Sequence, residues 1–317
     1  MEPANDAIET VSRTLARHGT TSYYPTTVTA PESNTLRSLE FLAGYIDRAE
    51  NTPAGAAQPL GIHMEGPHIN VKRRGVHPAE SIARPSLETY RRMAQAAGGK
   101  LRIMTIAPEL DAALDVIAEM VRDGVRPSLG HTDATFEDAE QAVELGVRQA
   151  THVFNAMRPF VNRDPGVLGA VLTDPRIKAE LIADGVHVDP ASMRLLYQSK
   201  GGQGIVLVSD GTSGTGMPDG VYPVAGLMAE VKDGVCRYQG VLAGSVLTLD
   251  RALRNMRRLL GLRPEQALAM ATRNTAQLLG IEGRKGVLAP GADADLVVLD
   301  PEWNVLAVYA RGVGVEV

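Results

Sequence analysis

Short apolar runs alternate with amphipathic stretches along the first two thirds of the chain, and that rhythm constrains the fold more than any other feature. Runs at Thr20–Pro25, Leu60–Met64, Leu101–Ile106, Pro127–Leu129, Gln149–Val153, Ala179–Ala183 and Gly204–Ser209 predict strands. Segments with helical spacing lie between them, Leu110–Asp123 and Phe136–Leu145 among them. Thr135, ahead of Glu137 and Asp138, predicts an N-cap with acids in the first turn. Gly124 and Gly146 predict helix C-caps just before the next strand. Strands that alternate with helices build a parallel sheet with helices packed outside it. The pattern therefore predicts an α/β fold, a TIM-like (β/α)8 barrel with one strand unaccounted for.

After Asp210 the rhythm changes. Val221–Leu242 reads as a β excursion turning at Lys232-Asp233-Gly234. Val246–Gly261 and Pro264–Leu279 predict two more helices, the second with Pro264 in its first turn. Gly/Pro punctuation from Gly286 gives way to β-rich runs at Ala294–Leu299 and Val305–Val317. The expected organisation is a barrel over 1–285 with a small β appendage over 286–317. Asn51–Pro59, rich in Pro, Ala and Gly, reads as a loop.

Composition excludes several classes of function. No apolar run approaches the roughly 18 residues of a membrane span, and the start, Met-Glu-Pro-Ala-Asn-Asp, shows no secretory signal. A net charge of −5 without a long basic block argues against a nucleic-acid partner. One cysteine, Cys236, allows neither an internal disulfide nor a cysteine zinc site, which points to the cytoplasm.

In a barrel of this kind, polar residues just past the C-terminal ends of the strands face the active site. Leu60–Met64 exits into Glu65-Gly66-Pro67-His68, and Pro127–Leu129 into Gly130-His131-Thr132-Asp133. Gln149–Val153 carries Thr151-His152 and exits into Asn155, while Ala179–Ala183 exits into Asp184-Gly185-Val186-His187. The last strand exits into Asp210-Gly211-Thr212. Each residue alone would pass for a core histidine or a helix cap, but five exits with an acid or imidazole are hard to explain by packing. Glu65, His131 and His152 form a His2Glu set, one used by catalytic zinc with a position left open for water. Such an ion lowers the pKa of water and polarises a carbonyl, which suits hydrolysis at neutral pH. Asp210 is the candidate acid/base that takes the water's proton and delivers it to a leaving nitrogen. His18 and His63 are read as structural.

These stretches resemble a known family. Gly-Ile-His-Met-Glu-Gly-Pro (61–67), Leu-Gly-His-Thr-Asp-Ala (129–134), Thr-His-Val-Phe-Asn-Ala-Met (151–157), Ala-Asp-Gly-Val-His-Val (183–188) and Val-Ser-Asp-Gly-Thr (208–212) are similar to motifs of the N-acetylglucosamine-6-phosphate deacetylases, of the amidohydrolase superfamily. The resemblance runs from His18 to the end, taking in Met270–Asn274 and Gly291–Val297. It implies hydrolysis of an acetamide on a phosphorylated amino sugar by a cytoplasmic homodimer. One divalent metal per chain is implied, zinc first, with iron, manganese or cobalt as alternatives. The metal ligands would be Glu65, His131 and His152, and Asp210 the acid/base. His77, in Gly75-Val76-His77, matches a histidine that helps polarise the acetamide carbonyl. Asn155, the backbone at Ala156, His187 and Arg163 match the sugar-phosphate site, with the arginine contributed across the dimer interface. A guanidinium suits phosphate because its planar fork donates two parallel hydrogen bonds; the plain alternative for Arg163 is a surface salt bridge. Ala243-Gly244-Ser245 resembles a loop that closes over the acetyl group, against an ordinary turn with Ser245 as a helix N-cap.

The resemblance departs at the start, where members carry a β segment and a first strand ending in His-x-His or a degenerate version of it. The expectation is an incomplete barrel, without support for a second metal, and less stable than a chain extended by roughly 50 residues. Two rival functions follow: an amidohydrolase acting on another amide or cyclic imide, and an inactive chain that keeps only metal binding or a partner.

Overall fold

Strand Leu101–Ile106 is covered on both faces, with only Arg102 partly exposed, as expected of a strand inside a helix-flanked parallel sheet. The computed structural model describes residues 5–51 and 55–317, and the chain divides into two units. The first takes in Tyr24–Gly44 and Gly61–Glu180. In it Thr26–Val28, Ile62–Glu65, Leu101–Ile106, Arg126–Leu129 and Gln149–Ala150 lie side by side in chain order, all parallel. Gln149 and Ala150 pair in turn with Lys178 and Ala179, the start of strand Lys178–Ile182. The register sets Val28 beside Glu65, Glu65 beside Thr105, Thr105 beside Ser128 and Leu129 beside Ala150. The strands therefore end level, and their exits share one edge.

The helices of this unit follow from their sequences. Ala113–Arg122 buries Ala113, Val116, Ile117 and Met120, the three-and-four spacing of one helical face. It begins three residues later than its apolar pattern does, because Ala112 turns through a left-handed φ of 62°. Phe136–Glu144 is closed by the expected Thr135 cap, with Asp138 bonded back to the Thr135 backbone as a capping box. Gly124 and Gly146 follow their helices at φ of 74° and 118°.

The second unit comprises the described residues of 4–23 and 45–60, together with Leu181–Val317. Strand Ile205–Val208 matches the last predicted barrel strand. The β excursion is an antiparallel meander of Gly220–Val224, Leu227–Lys232, Val235–Tyr238 and Val241–Leu242. Its turns are Ala225-Gly226, Asp233-Gly234 and Gln239-Gly240, and every one of these residues has a positive φ, the geometry of two-residue hairpin loops. Only the middle turn is legible from composition.

Four expectations are corrected here. Thr20–Pro25 is not one strand: Ser22–Tyr23 pairs with Gln58–Pro59, and Thr26–Val28 is a separate strand. Accordingly Asn51–Pro59 is not all loop, since Asn51 ends helix Glu32–Asn51 and Gln58-Pro59 is a strand; residues 52–54 lie outside the described residues. Pro264–Leu279 is two helices, Pro264–Ala271 and Arg273–Leu279, broken at Thr272. There the Asn274 amide donates to the carbonyls of Gly202 and Ile205 at 2.6 and 2.8 Å. Gln149–Val153 shortens to Gln149–Ala150, and the chain turns immediately after it.

The C-terminal strands Leu296–Leu299, Val305–Ala310 and Val313–Val315 form an antiparallel sheet. One of its anchors is the buried Lys285 ammonium, 2.8 Å from Asp293, 2.6 Å from Asp295 and 3.1 Å from Gln58. No helix among the described residues is long and apolar enough to cross a membrane.

Candidate functional site

Glu65 is the last residue of its strand, and His131 and His152 each sit two residues past a strand end. Because Leu129 pairs with Ala150, the two histidines leave the sheet at the same level. Both turn through positive φ, 49° and 29°. Such conformations are uncommon outside glycine and persist where surrounding contacts over-determine them, often at functional sites. The result is a tight, buried triangle. Glu65 Oε1 lies 3.1 Å from His131 Nε2 and 2.9 Å from His152 Nε2, and the two Nε2 atoms are 3.2 Å apart.

The tautomer of His131 is fixed by its other nitrogen. Nδ1–H donates to the carbonyl of Arg73 at 2.8 Å, so the neutral ring turns the lone pair of Nε2 toward Glu65. A carboxylate oxygen and an imidazole lone pair facing each other call for a cation between them. Among the described residues, Glu65, His131 and His152 are the group able to hold a metal ion, with ligand atoms all within 4.8 Å of one another. Burial works to raise the Glu65 carboxyl, but the facing His131, His152 and His77 hold it well below the usual carboxylate range. Burial pushes the His131 imidazole down, toward the neutral form that binds metal.

His77 joins this cluster from the loop after the Glu65 strand. The Thr29 backbone N–H donates to His77 Nδ1 at 3.3 Å, which leaves the ring proton on Nε2, 3.4 Å from Glu65 Oε2. His77 thus offers a donor beside the acceptors of the triangle. Asn155 and Ala156 occupy the turn after His152, where Phe154 and Ala156 also have positive φ. The Asn155 amide donates to the His152 carbonyl at 3.1 Å, and the Ala156 carbonyl accepts from Thr132 N–H at 3.1 Å. Arg163 is exposed on the loop closed by the bridge between Val161 and Asp164. Asp164 pairs with Arg158 instead, an arginine to which the sequence reading gave no role.

In the second unit, Asp210 follows strand Ile205–Val208 by two residues at φ 48°. Ala243-Gly244-Ser245 lies against it: Ser245 N–H donates to the Asp210 carbonyl at 2.8 Å, and Thr212 N–H to the Ser245 carbonyl at 3.0 Å. Gly244 has a φ of 59°, and a side chain there would come within 2.5 Å of the Thr212 methyl, so glycine suits this close approach. Ser245 is not a helix N-cap. Its hydroxyl donates to the Ser209 carbonyl and accepts from Leu247 N–H, and the helix begins at Leu249 with Thr248 before it. His187 Nδ1 donates to Asp184 Oδ2 at 2.6 Å, while Asp184 Oδ1 takes the N–H groups of Val186 and His187 at 2.8 Å each. Burial works to raise the Asp184 carboxyl, but the His187 hydrogen bond and these amides hold it below its ordinary range.

Of the two histidines read as structural, one is hydrogen-bonded in place and the other faces a carboxylate. His63 Nε2 meets Thr105 Oγ1 at 2.8 Å, and burial pushes its imidazole down to about 4. His18 Nδ1 lies 3.5 Å from Asp250. Sequence reading missed the orienting role of three groups: the Arg73 carbonyl, the Thr29 amide and the Asp184 carboxylate, the last of which it named only as an exit acid. Backbone atoms leave no residue-type signal. Asp184, three residues before His187, does leave one, since that spacing suits a side-chain bond across a turn.

The chain matches the amidohydrolase family over residues 1–315. It is 36% identical over 308 residues to N-acetylglucosamine-6-phosphate deacetylase of Lysinibacillus sphaericus, covering 95% of this chain and 76% of that one. It is 37% identical over 313 residues to N-acetylgalactosamine-6-phosphate deacetylase of Escherichia coli O157:H7, covering 98% and 82%. A variant of N-acetyl-D-glucosamine-6-phosphate deacetylase from Mycobacterium smegmatis, solved in complex with N-acetyl-D-glucosamine-6-phosphate, superimposes with a TM-score of 0.91 at 37% identity, over 98% of this chain and 81% of that one. The fold class is accordingly the TIM-like barrel of the metal-dependent amidohydrolases with a small C-terminal β appendage.

Proposed function

The chain belongs to the amidohydrolase family, and from that premise we propose that it hydrolyses the acetamide of N-acetylglucosamine 6-phosphate to glucosamine 6-phosphate and acetate. The observation that carries this reading is the buried triangle of Glu65, His131 and His152 in a chain 36% identical to a deacetylase of that sugar phosphate. These three residues would hold one divalent ion per chain, zinc in this reading, with iron, manganese or cobalt as alternatives. When bound, the ion supplies Lewis-acid polarisation and lowers the pKa of water.

The protein's own groups do the rest. Asp210 accepts the proton of the attacking water and returns it to the departing amine nitrogen. His77 donates from Nε2 to the carbonyl oxygen as charge develops there; the Thr29 bond that fixes its tautomer supports that role. Asn155, the backbone at Ala156, His187 and Arg163 bind the sugar phosphate, and Ala243-Gly244-Ser245 covers the acetyl group. The bond from Ser245 N–H to the Asp210 carbonyl at 2.8 Å, which lays this segment beside Asp210, supports the last assignment. We further propose a cytoplasmic homodimer in which Arg163 crosses to its partner's site, its exposure on the loop being in keeping with that role. The barrel is taken to span 1–285 and the appendage 286–317.

The test compares phosphorylated and plain N-acetylglucosamine. A charge-assisted hydrogen bond is worth about 1.5–3 kcal/mol, so Arg163→Ala should lower kcat/KM roughly 10- to 150-fold on the phosphorylated sugar and leave the plain sugar nearly unchanged. Equal losses on both would sink the phosphate assignment. Running N-acetylgalactosamine 6-phosphate alongside decides the configuration at C4, because a relative named for that substrate is 37% identical to this chain. Faster turnover of the galacto sugar would move the assignment to it.

A further inference from the structure

One strand exit of the parallel sheet has no part in the site described so far. Strand Leu101–Ile106 lies between the strand that ends in Glu65 and the strand that leads to His131. Three residues past its end stands Glu109. Its carboxylate gathers three donors from two other exits. Oε1 accepts from Asp133 N–H at 2.6 Å and from the Asn70 side-chain amide at 2.9 Å, and Oε2 accepts from the Thr132 hydroxyl at 2.6 Å.

Each donor leads to His131. Thr132 and Asp133 are the two residues that follow it. Asn70 donates its own backbone N–H to the His131 carbonyl at 2.8 Å. The Asn70 amide cannot turn over, because its Oδ1 already accepts from Lys72 N–H at 2.9 Å; its NH2 must face an acceptor, and Glu109 is that acceptor. The same turn, Val71–Arg73, presents the Arg73 carbonyl that orients His131 Nδ1. The Arg73 guanidinium then closes the circuit on Asp133 at 2.7 Å. His131 itself is held at a φ of 49°, a backbone state that relaxes unless its neighbours over-determine it. A carboxylate suits this post because its two oxygens accept on several lone pairs at once, whereas a carboxamide presents only one accepting oxygen.

We propose that Glu109 is the positioning residue for the ligand His131, clamping residues 70–73 to residues 131–133 so that Nε2 meets the metal. The proposal rests on the reading of Glu65, His131 and His152 as a metal site. Glu109 touches none of the three ligands and takes no proton in the reaction. Its effect runs through the loop on one side of His131 and the peptide on the other. Loss of such an outer partner typically weakens metal binding about 10- to 100-fold.

The test uses the full chain, stripped of metal and titrated with Zn2+ against a chromogenic chelator, and then loaded with Co2+ for its visible spectrum. Glu109→Ala should raise the Zn2+ dissociation constant about 10- to 100-fold and shift the Co2+ bands, because the ligand geometry changes. Glu109→Gln keeps the Oε1 contacts and should recover most of the affinity. A Glu109→Ala protein that folds and binds Zn2+ within twofold of the parent, with an unchanged Co2+ spectrum, would overturn the proposal; a fall in thermal midpoint alone would then be packing. If Glu109→Ala does not fold, Thr132→Val removes one donor and should weaken binding by a smaller factor; unchanged affinity there counts equally against it. A parent chain that binds neither ion removes the metal site itself, and the proposal with it.

Discussion

Two regions of the molecule invert the usual rule of burial. At the strand exits, Glu65, His77, His131 and His152 are polar and buried; in the C-terminal sheet, Leu296, Val297, Val298, Leu306 and Tyr309 are apolar and exposed, Leu306 at 60%. The first arrangement costs folding free energy, since buried ionisable groups must be matched by partners. Its positive-φ histidines, His131 and His152, add backbone strain. The second forgoes the gain of burial on that face, and polar anchors help to tie the sheet down, Lys285 with Asp293 and Asp295 and Arg311 with the carbonyls of Ala49 and Glu50 among them. Chemistry is therefore to be sought at the exits, and in the appended sheet the anchors matter more than the strands' own side chains.

The sharpest way to break that contrast is at Asp210, a strand-exit acid outside the triangle. Asp210→Asn keeps size and shape but removes the carboxylate proposed as base, so kcat should fall by about 10² or more with KM little changed and the thermal midpoint retained. Near-normal kcat would mean that the proton is handled elsewhere and that this exit is structural after all. Next comes the anchor. Lys285→Met leaves Asp293 and Asp295 facing each other without their buried counter-charge, and loss of one partner of such a group costs about 3–5 kcal/mol. Urea denaturation measures it; a loss under about 1 kcal/mol would show that the sheet is held by packing instead. Smallest of all should be Leu306→Lys on the exposed face, within about 0.5 kcal/mol of the parent. A large loss there would reveal that the face is covered.

Much of the exit chemistry was legible because it is local. The run Met64-Glu65-Gly66-Pro67 and the pair Gly130-His131 each end an apolar strand, and strand period alone places the polar residue at the edge. Helix caps at Thr135 and Gly146 were legible for the same reason, being set by one or two neighbouring residues. The break at Thr272 was not, since the Asn274 amide beside it reaches carbonyls some seventy positions away. Nor was the partner of Asp164, for Arg163 adjoins it in sequence, yet the course of the loop pairs it with Arg158, six positions back.

What the sequence by itself determined was the order of strands and helices, the residue types delivered at each exit, and a set of motifs specific enough to suggest the family. Those depend on period, capping and side-chain chemistry, which act over a few residues. Only the tertiary structure decided that His131 and His152 stand at one level, that Glu65 faces both within 3.1 Å, and that His77 presents Nε2 while His131 presents a lone pair. Strand register fixes the first of these. Backbone amides and carbonyls from distant turns fix the tautomers, and such groups, identical in nearly every residue, carry no mark in a sequence.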